Sequence, residues 1–143
     1  MATRMMVALL LTGEFDPEEI TRRVGVQPSF TCRRGDPVSK RSTMRQKFDG
    51  WRFSTGEEDS FDLGARIRGL LDLLHGRAAD FSAVCKDLSL DAEIECVVYM
   101  YGAQGPALSI DSRTVAEIAE YGASIDIDLY ALGDENKDAD GAD

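Results

Sequence analysis

Four carboxylates sit at alternating positions in two segments near the C-terminal end: Glu93 and Glu95 in one, Asp126 and Asp128 in the other. A period of two places side chains on the same face of a strand. If the two segments are neighbouring strands, all four acids meet on one sheet face, where they could hold a hard cation or work as an acid–base pair. A solvated strand shows the same alternation for solubility alone, and this ordinary explanation carries more weight. Tyr99, Tyr101 and Tyr130 would border the same face. Aromatic side chains at the edge of a polar surface favour a partner-binding role over a metal site.

A second candidate has the opposite sign. Between residues 32 and 52, Arg33, Arg34, Lys40, Arg41, Arg45, Lys47 and Arg52 face only Asp36 and Asp49, a local balance of +5. The chain as a whole carries −10, so the remainder carries −15. With Trp51 and the hydroxyls of Ser39, Ser42 and Thr43, this segment could grip a phosphate or an acidic partner. It lacks the glycine and lysine spacing of a nucleotide-binding loop. A loop with solvated charges accounts for it as well. The acidity of the rest of the chain makes nucleic acid an unexpected partner.

The remaining reactive residue types form no catalytic pattern. His75 is the only histidine and precedes Gly76 at an expected helix end, where the dipole favours a cation. Cys32, Cys85 and Cys96 are odd in number and widely spaced, so reduced thiols are expected rather than disulfides or structural zinc. Cys32 alone has neighbours, Arg33 and Arg34, that could lower a thiol pKa. No serine lies in a nucleophile-elbow turn. No catalytic residue, metal or cofactor is expected, and a non-enzymatic role is preferred.

The elements that must position these residues follow from periodicity. Residues 4–12 form an apolar strand, and Asp16-Pro17-Glu18-Glu19 starts a short helix closed by Gly25. An extended piece over 26–34 leads into a long basic loop at 35–47, and a strand covers 49–54. Residues 56–59 read as a turn and cap. Leu63, Ile67, Leu70, Leu71 and Leu74 form one helical stripe, and a second helix spans 78–88. A strand covers 92–101, with Ile94, Cys96, Val98 and Met100 on one face. Asp111 or Ser109 caps a helix with Val115 and Ile118 inward. The last strand, 124–130, turns Ile125, Ile127 and Leu129 inward.

This order describes an α+β fold: a two-layer, ferredoxin-like sandwich with a mostly antiparallel sheet and helices on one face. Its 143 residues suit a single domain over 1–132, followed by an acidic, disordered tail at 133–143. No apolar run approaches the length of a bilayer span, so a cytoplasmic protein without membrane contact is expected.

Residues Gly13-Glu14-Phe15-Asp16-Pro17, Ile20-Thr21, Val24-Gly25-Val26-Gln27-Pro28-Ser29, Gly35-Asp36, Trp51 and 125–130 resemble the bacterial "domain of unknown function 4279" family. The resemblance reaches to about Tyr130, with Val24 where leucine is expected. It implies one intact domain and brings no activity or catalytic residue with it. Two functional expectations remain. The leading one is a protein-binding domain, such as an immunity-type partner of a basic toxin, working through Glu93, Glu95, Tyr99, Tyr101, Asp126, Asp128 and Tyr130. The alternative is a small-molecule or phosphate-ligand site, in a binding protein or an enzyme, built from Arg33, Arg34, Lys40, Arg41, Arg45, Lys47, Trp51 and Arg52. Homodimerisation through sheet edges is a third arrangement open to this architecture.

Overall fold

The computed structural model describes residues 2–133; the tail, beyond Gly133, lies outside them. Its elements are β1 (Arg4–Gly13), α1 (Pro17–Val24), β2 (Phe30–Cys32), β3 (Asp49–Asp59), α2 (Leu63–Leu73), α3 (Ala78–Leu88), β4 (Asp91–Met100), α4 (Ser112–Glu120) and β5 (Ser124–Ala131). Together they form an α+β fold, a five-stranded sheet in the order β2-β3-β1-β4-β5 with four helices. The first four strands are antiparallel to their neighbours, and β4 and β5 are parallel. Among the described residues no helix is long and apolar enough to cross a membrane.

Helix boundaries follow local chemistry. The Asp16 carboxylate accepts the Glu18 N–H at 3.0 Å, proline occupies the first turn, and Gly25 ends α1 at φ +69°, a conformation that suits glycine. Asp62 caps α2 by accepting from the Ala65 N–H at 3.2 Å. Asp111, rather than Ser109, caps α4 by accepting from the Thr114 N–H at 2.8 Å.

One core lies between the helices and one face of the sheet. Met5, Val7, Leu9 and Leu11 of β1, Trp51 of β3 and Ile94, Cys96 and Val98 of β4 meet the stripe of α2, with Ile20, Phe81, Ile118 and Tyr121 from the other helices. Phe81 packs between Trp51 and Tyr121, with ring centroids 5.5 and 5.7 Å away. The Tyr121 hydroxyl donates to the Leu74 carbonyl at 3.2 Å and so ties α4 to the end of α2.

Several expectations need correcting. β3 runs to Asp59, because Glu57, Glu58 and Asp59 pair with Met6, Met5 and Arg4 past a register shift. Residues 56–59 are therefore strand; tertiary pairing overrides their turn-like composition. The extended segment after α1 yields only three residues of strand. Val115 is 46% exposed, since α4 turns Thr114, Ile118 and Tyr121 inward instead. Ile125, Ile127 and Leu129 are 37%, 38% and 49% exposed. β5 is an edge strand and the helix layer does not bury its apolar side. The sheet is mostly antiparallel, as expected, with β4–β5 its one parallel pair among the described residues.

Candidate functional site

The face of the sheet opposite the helices divides into two halves of opposite charge. Across β4 and β5 the register sets Glu95 beside Asp126, Val97 beside Asp128 and Tyr99 beside Tyr130. The two tyrosine rings stack with centroids 5.5 Å apart and planes 18° from parallel. Glu93 lies one step along the same face, next to Ser124. The structure thus brings Glu93, Glu95, Asp126, Asp128, Tyr99 and Tyr130 together. Tyr101 stands just beyond the end of β4, beside Arg4 of β1. Among the described residues no three His, Cys, Asp or Glu side chains are grouped as metal ligands.

This acidic half is electrostatically crowded. The Glu93 carboxyl is pushed up by burial first, and then by the charges of Asp126, Glu95 and Asp128. A raised carboxyl holds its proton more tightly in the folded chain than in the unfolded one. Ionised Glu93 therefore weakens the fold at neutral pH, and that penalty is relieved as pH falls through the raised value toward the ordinary glutamate pKa of about 4.3. Glu93→Gln is expected to stabilise the domain at neutral pH by up to about 1 kcal/mol, the scale of a like-charge cross-strand contact. The gain should vanish below the ordinary glutamate range, which urea midpoints at the two pH values will check.

The other half is covered by the basic loop. Far from being irregular, the loop is a laced turn. Asp36 accepts the Arg33 N–H through its carboxylate at 2.8 Å and the Gln46 N–H through its carbonyl at 2.7 Å. The Val38 N–H donates to the Met44 carbonyl at 3.0 Å, and Pro37 bridges to Arg45. Asp49 anchors the base, accepting the Phe15 N–H at 2.9 Å and the Arg34 N–H at 2.8 Å. Those two donors hold its carboxyl below the usual aspartate range.

Beneath this loop is a cavity of about 330 Å³. Leu10 and Thr12 of β1, Phe30 and Cys32 of β2 and Gly50 and Arg52 of β3 form its floor, with Val38, Met44, Arg45, Lys47 and Phe48 around them. The Arg52 guanidinium lies 5.4 Å from the Phe30 ring centre and pairs with Glu95, its Nε 3.3 Å from Oε1 and its Nη2 donating to Oε2 at 3.5 Å. Arg52 and Glu95 join the cationic half of the face to the anionic half.

The basic residues do not act as one group. Arg33 pairs with Asp16 at 2.9 Å and Arg34 with Glu14 at 3.9 Å, while only Arg45, Lys47 and Arg52 line the cavity. Lys40 and Arg41 are exposed in the loop and do not line it. Trp51 is wholly buried on the helix side, its indole N–H donating to the Thr21 hydroxyl at 3.0 Å. Strand alternation separates it from Arg52, so it cannot join a surface site. The arginines next to Cys32 in the sequence do not activate it. Its thiol is pushed up by burial and by Asp36, with Arg33 and Arg34 engaged elsewhere. Burial pushes Cys85 up to about 11 and Cys96 up to about 12, so both are inert core thiols. His75 is exposed at the end of α2.

Sequence reasoning missed the apolar residues of the cavity. Phe30, Val38, Met44 and Phe48 are 45–65% exposed and carry no periodicity, because they belong to a three-residue strand and a loop. The available signal was four large apolar side chains interleaved with cations between residues 30 and 48.

The molecule is thus an α+β domain with a helix-covered sheet face and an open face that carries both candidate surfaces. The chain belongs to the DUF4279 family, a domain of unknown function, whose model matches residues 2–132. No curated protein and no solved structure matches it.

Proposed function

We propose that this domain is a protein-binding module that takes an extended, basic segment of a partner along the outer edge of β5. The observation that carries this reading is the state of β5. It is a full-length edge strand whose outer side has no neighbour among the described residues, with half-exposed Ile125, Ile127 and Leu129 on one face and Asp126 and Asp128 on the other. Such an edge offers every second backbone N–H and C=O to an added strand. An incoming strand with apolar residues opposite the isoleucines and lysine or arginine opposite the aspartates would cover the apolar stripe and relieve the crowding around Glu93. A basic toxin held by its immunity partner would be one such case.

Self-association fits the edge poorly. An antiparallel pair of β5 strands centred on Ile127 sets Asp126 of each copy opposite Asp128 of the other, and like charges directly opposite are unfavourable. The order β2-β3-β1-β4 with alternating directions supports reading the first four strands as a ferredoxin-like sandwich, to which α4 and β5 add this edge.

A fluorescently labelled peptide alternating lysine and valine, titrated into the full chain, tests the reading. Its affinity should fall with added salt and drop roughly tenfold or more in Asp126→Lys/Asp128→Lys. Equal binding by a glutamate–valine peptide would sink the idea, as would indifference to the double reversal.

A further inference from the structure

Two clusters of exposed apolar side chains stand out on the surface, and the β5 reading uses only one. The other is the mouth of the cavity under the basic loop: Phe30, Val38, Met44 and Phe48. Exposed apolar side chains gathered around a concavity mark a binding site more often than scattered ones do. The volume of about 330 Å³ is at the lower end of cavities that take small molecules.

The charges around this cavity determine what fits. Arg45 and Lys47 line it and have no carboxylate within 4 Å among the described residues, whereas Arg33 and Arg34 of the same segment are ion-paired. No carboxylate contributes to the lining. In a chain of net charge −10, two cations without an ion-pair partner among the described residues, both lining one largely apolar cavity, form a local trap for an anion. The floor argues against a bare inorganic ion: Leu10, Phe30 and Gly50 offer hydrocarbon and backbone, Thr12 and Cys32 add one hydroxyl and one thiol, and Arg52 is paired with Glu95, which is not a cage of donors. Arg52 sits over Phe30 and leans toward Glu95, which leaves Arg45 and Lys47 as the open cations.

We propose that this cavity binds a small organic anion with an apolar body, its hydrocarbon or ring on Leu10 and Phe30 and its acid group against Arg45 and Lys47. This inference is independent of the β5 edge and can stand if that reading fails. Gly50 belongs to the same design, because a Cβ there would lie 2.9 Å from the Cys32 sulfur and crowd the floor.

The probe is anilinonaphthalene sulfonate, an apolar ring system carrying one anionic group, titrated into the full chain and followed by its fluorescence. Binding should saturate at one molecule per chain. Decanoate should displace the probe, and uncharged decanol should do so roughly tenfold more weakly or worse. Arg45→Glu/Lys47→Glu, at two exposed positions that leave the core untouched, should weaken the probe by a similar factor of about ten or more. Val38→Asp at the cavity mouth should weaken it as well, while Ile127→Lys on β5 should leave it unchanged. Non-saturating fluorescence, equal displacement by decanol, or affinity unmoved by the double reversal would each overturn the proposal. Loss of binding in Ile127→Lys alone would move the site to β5 and overturn it too.

Discussion

Trp51→Ala is expected to cost about 3–5 kcal/mol of unfolding free energy, the range for removing a large buried aromatic. Trp51 is wholly buried, its ring meets Phe81 edge-on at 5.5 Å, and Phe81 in turn packs against Tyr121. Truncation therefore opens a cavity between β3, α1 and α3. A domain of this size has only about 5–15 kcal/mol of net stability, so the variant should be partly unfolded at modest urea concentrations. Trp51→Phe keeps most of the ring but removes the donor to Thr21, and should cost about 1–2 kcal/mol. Urea midpoints of the three proteins check the order. A loss below about 1 kcal/mol for the alanine variant would mean that the residue is not packed as described.

Asp49→Ala should have the next largest effect, with different consequences. Its carboxylate holds two backbone N–H groups, Phe15 before α1 and Arg34 at the start of the basic loop, and hydrogen bonds to a charged acceptor contribute about 1.5–3 kcal/mol. One side chain thus fixes both the turn after β1 and the loop over the cavity. Because the folded carboxyl is held below its ordinary range, this stabilisation is complete above the unfolded aspartate pKa of about 4 and is lost as pH falls through the lower folded value. Asp49→Ala should flatten that acid limb. It should also speed hydrogen exchange at the loop amides of Gly35, Val38 and Gln46, which donate within the loop, while leaving β4 protected. Unchanged exchange in the loop would show that Asp36 alone holds it.

Much of this architecture could be read in the residues. The Asp16-Pro17 start, the Gly25 stop, the α2 stripe and the α3 bounds depend on interactions within a few positions, and the observed elements follow them. The acidic face was also legible, because strand alternation fixes which side chains share a side once β4 and β5 are neighbours. What escaped depends on distant partners. Whether Ile125 and Leu129 are buried is decided by where the helix layer ends, and no pattern within β5 encodes that. β3 extends to Asp59 only because β1 is there to pair with it. Trp51 and Arg52 are adjacent in the chain but lie on opposite faces of the sheet. Alternation announces that separation, yet grouping residues by charge and proximity in sequence obscures it. The shape of the loop over the cavity escaped as well, since Asp36 and Asp49 set it through contacts that no periodicity marks.

The open face holds two surfaces that meet at Arg52 and Glu95; the proposed ligand of one is an organic anion and that of the other a basic strand. The second carries the functional reading, and backbone amide mapping tests it most directly. With the full chain isotopically labelled and the lysine–valine peptide added at low salt, shifts and slowed exchange should concentrate at alternate amides of β5 between Ser124 and Ala131, and fade as salt is raised. Changes confined to the basic loop or to the helices, with β5 unaffected, would contradict it.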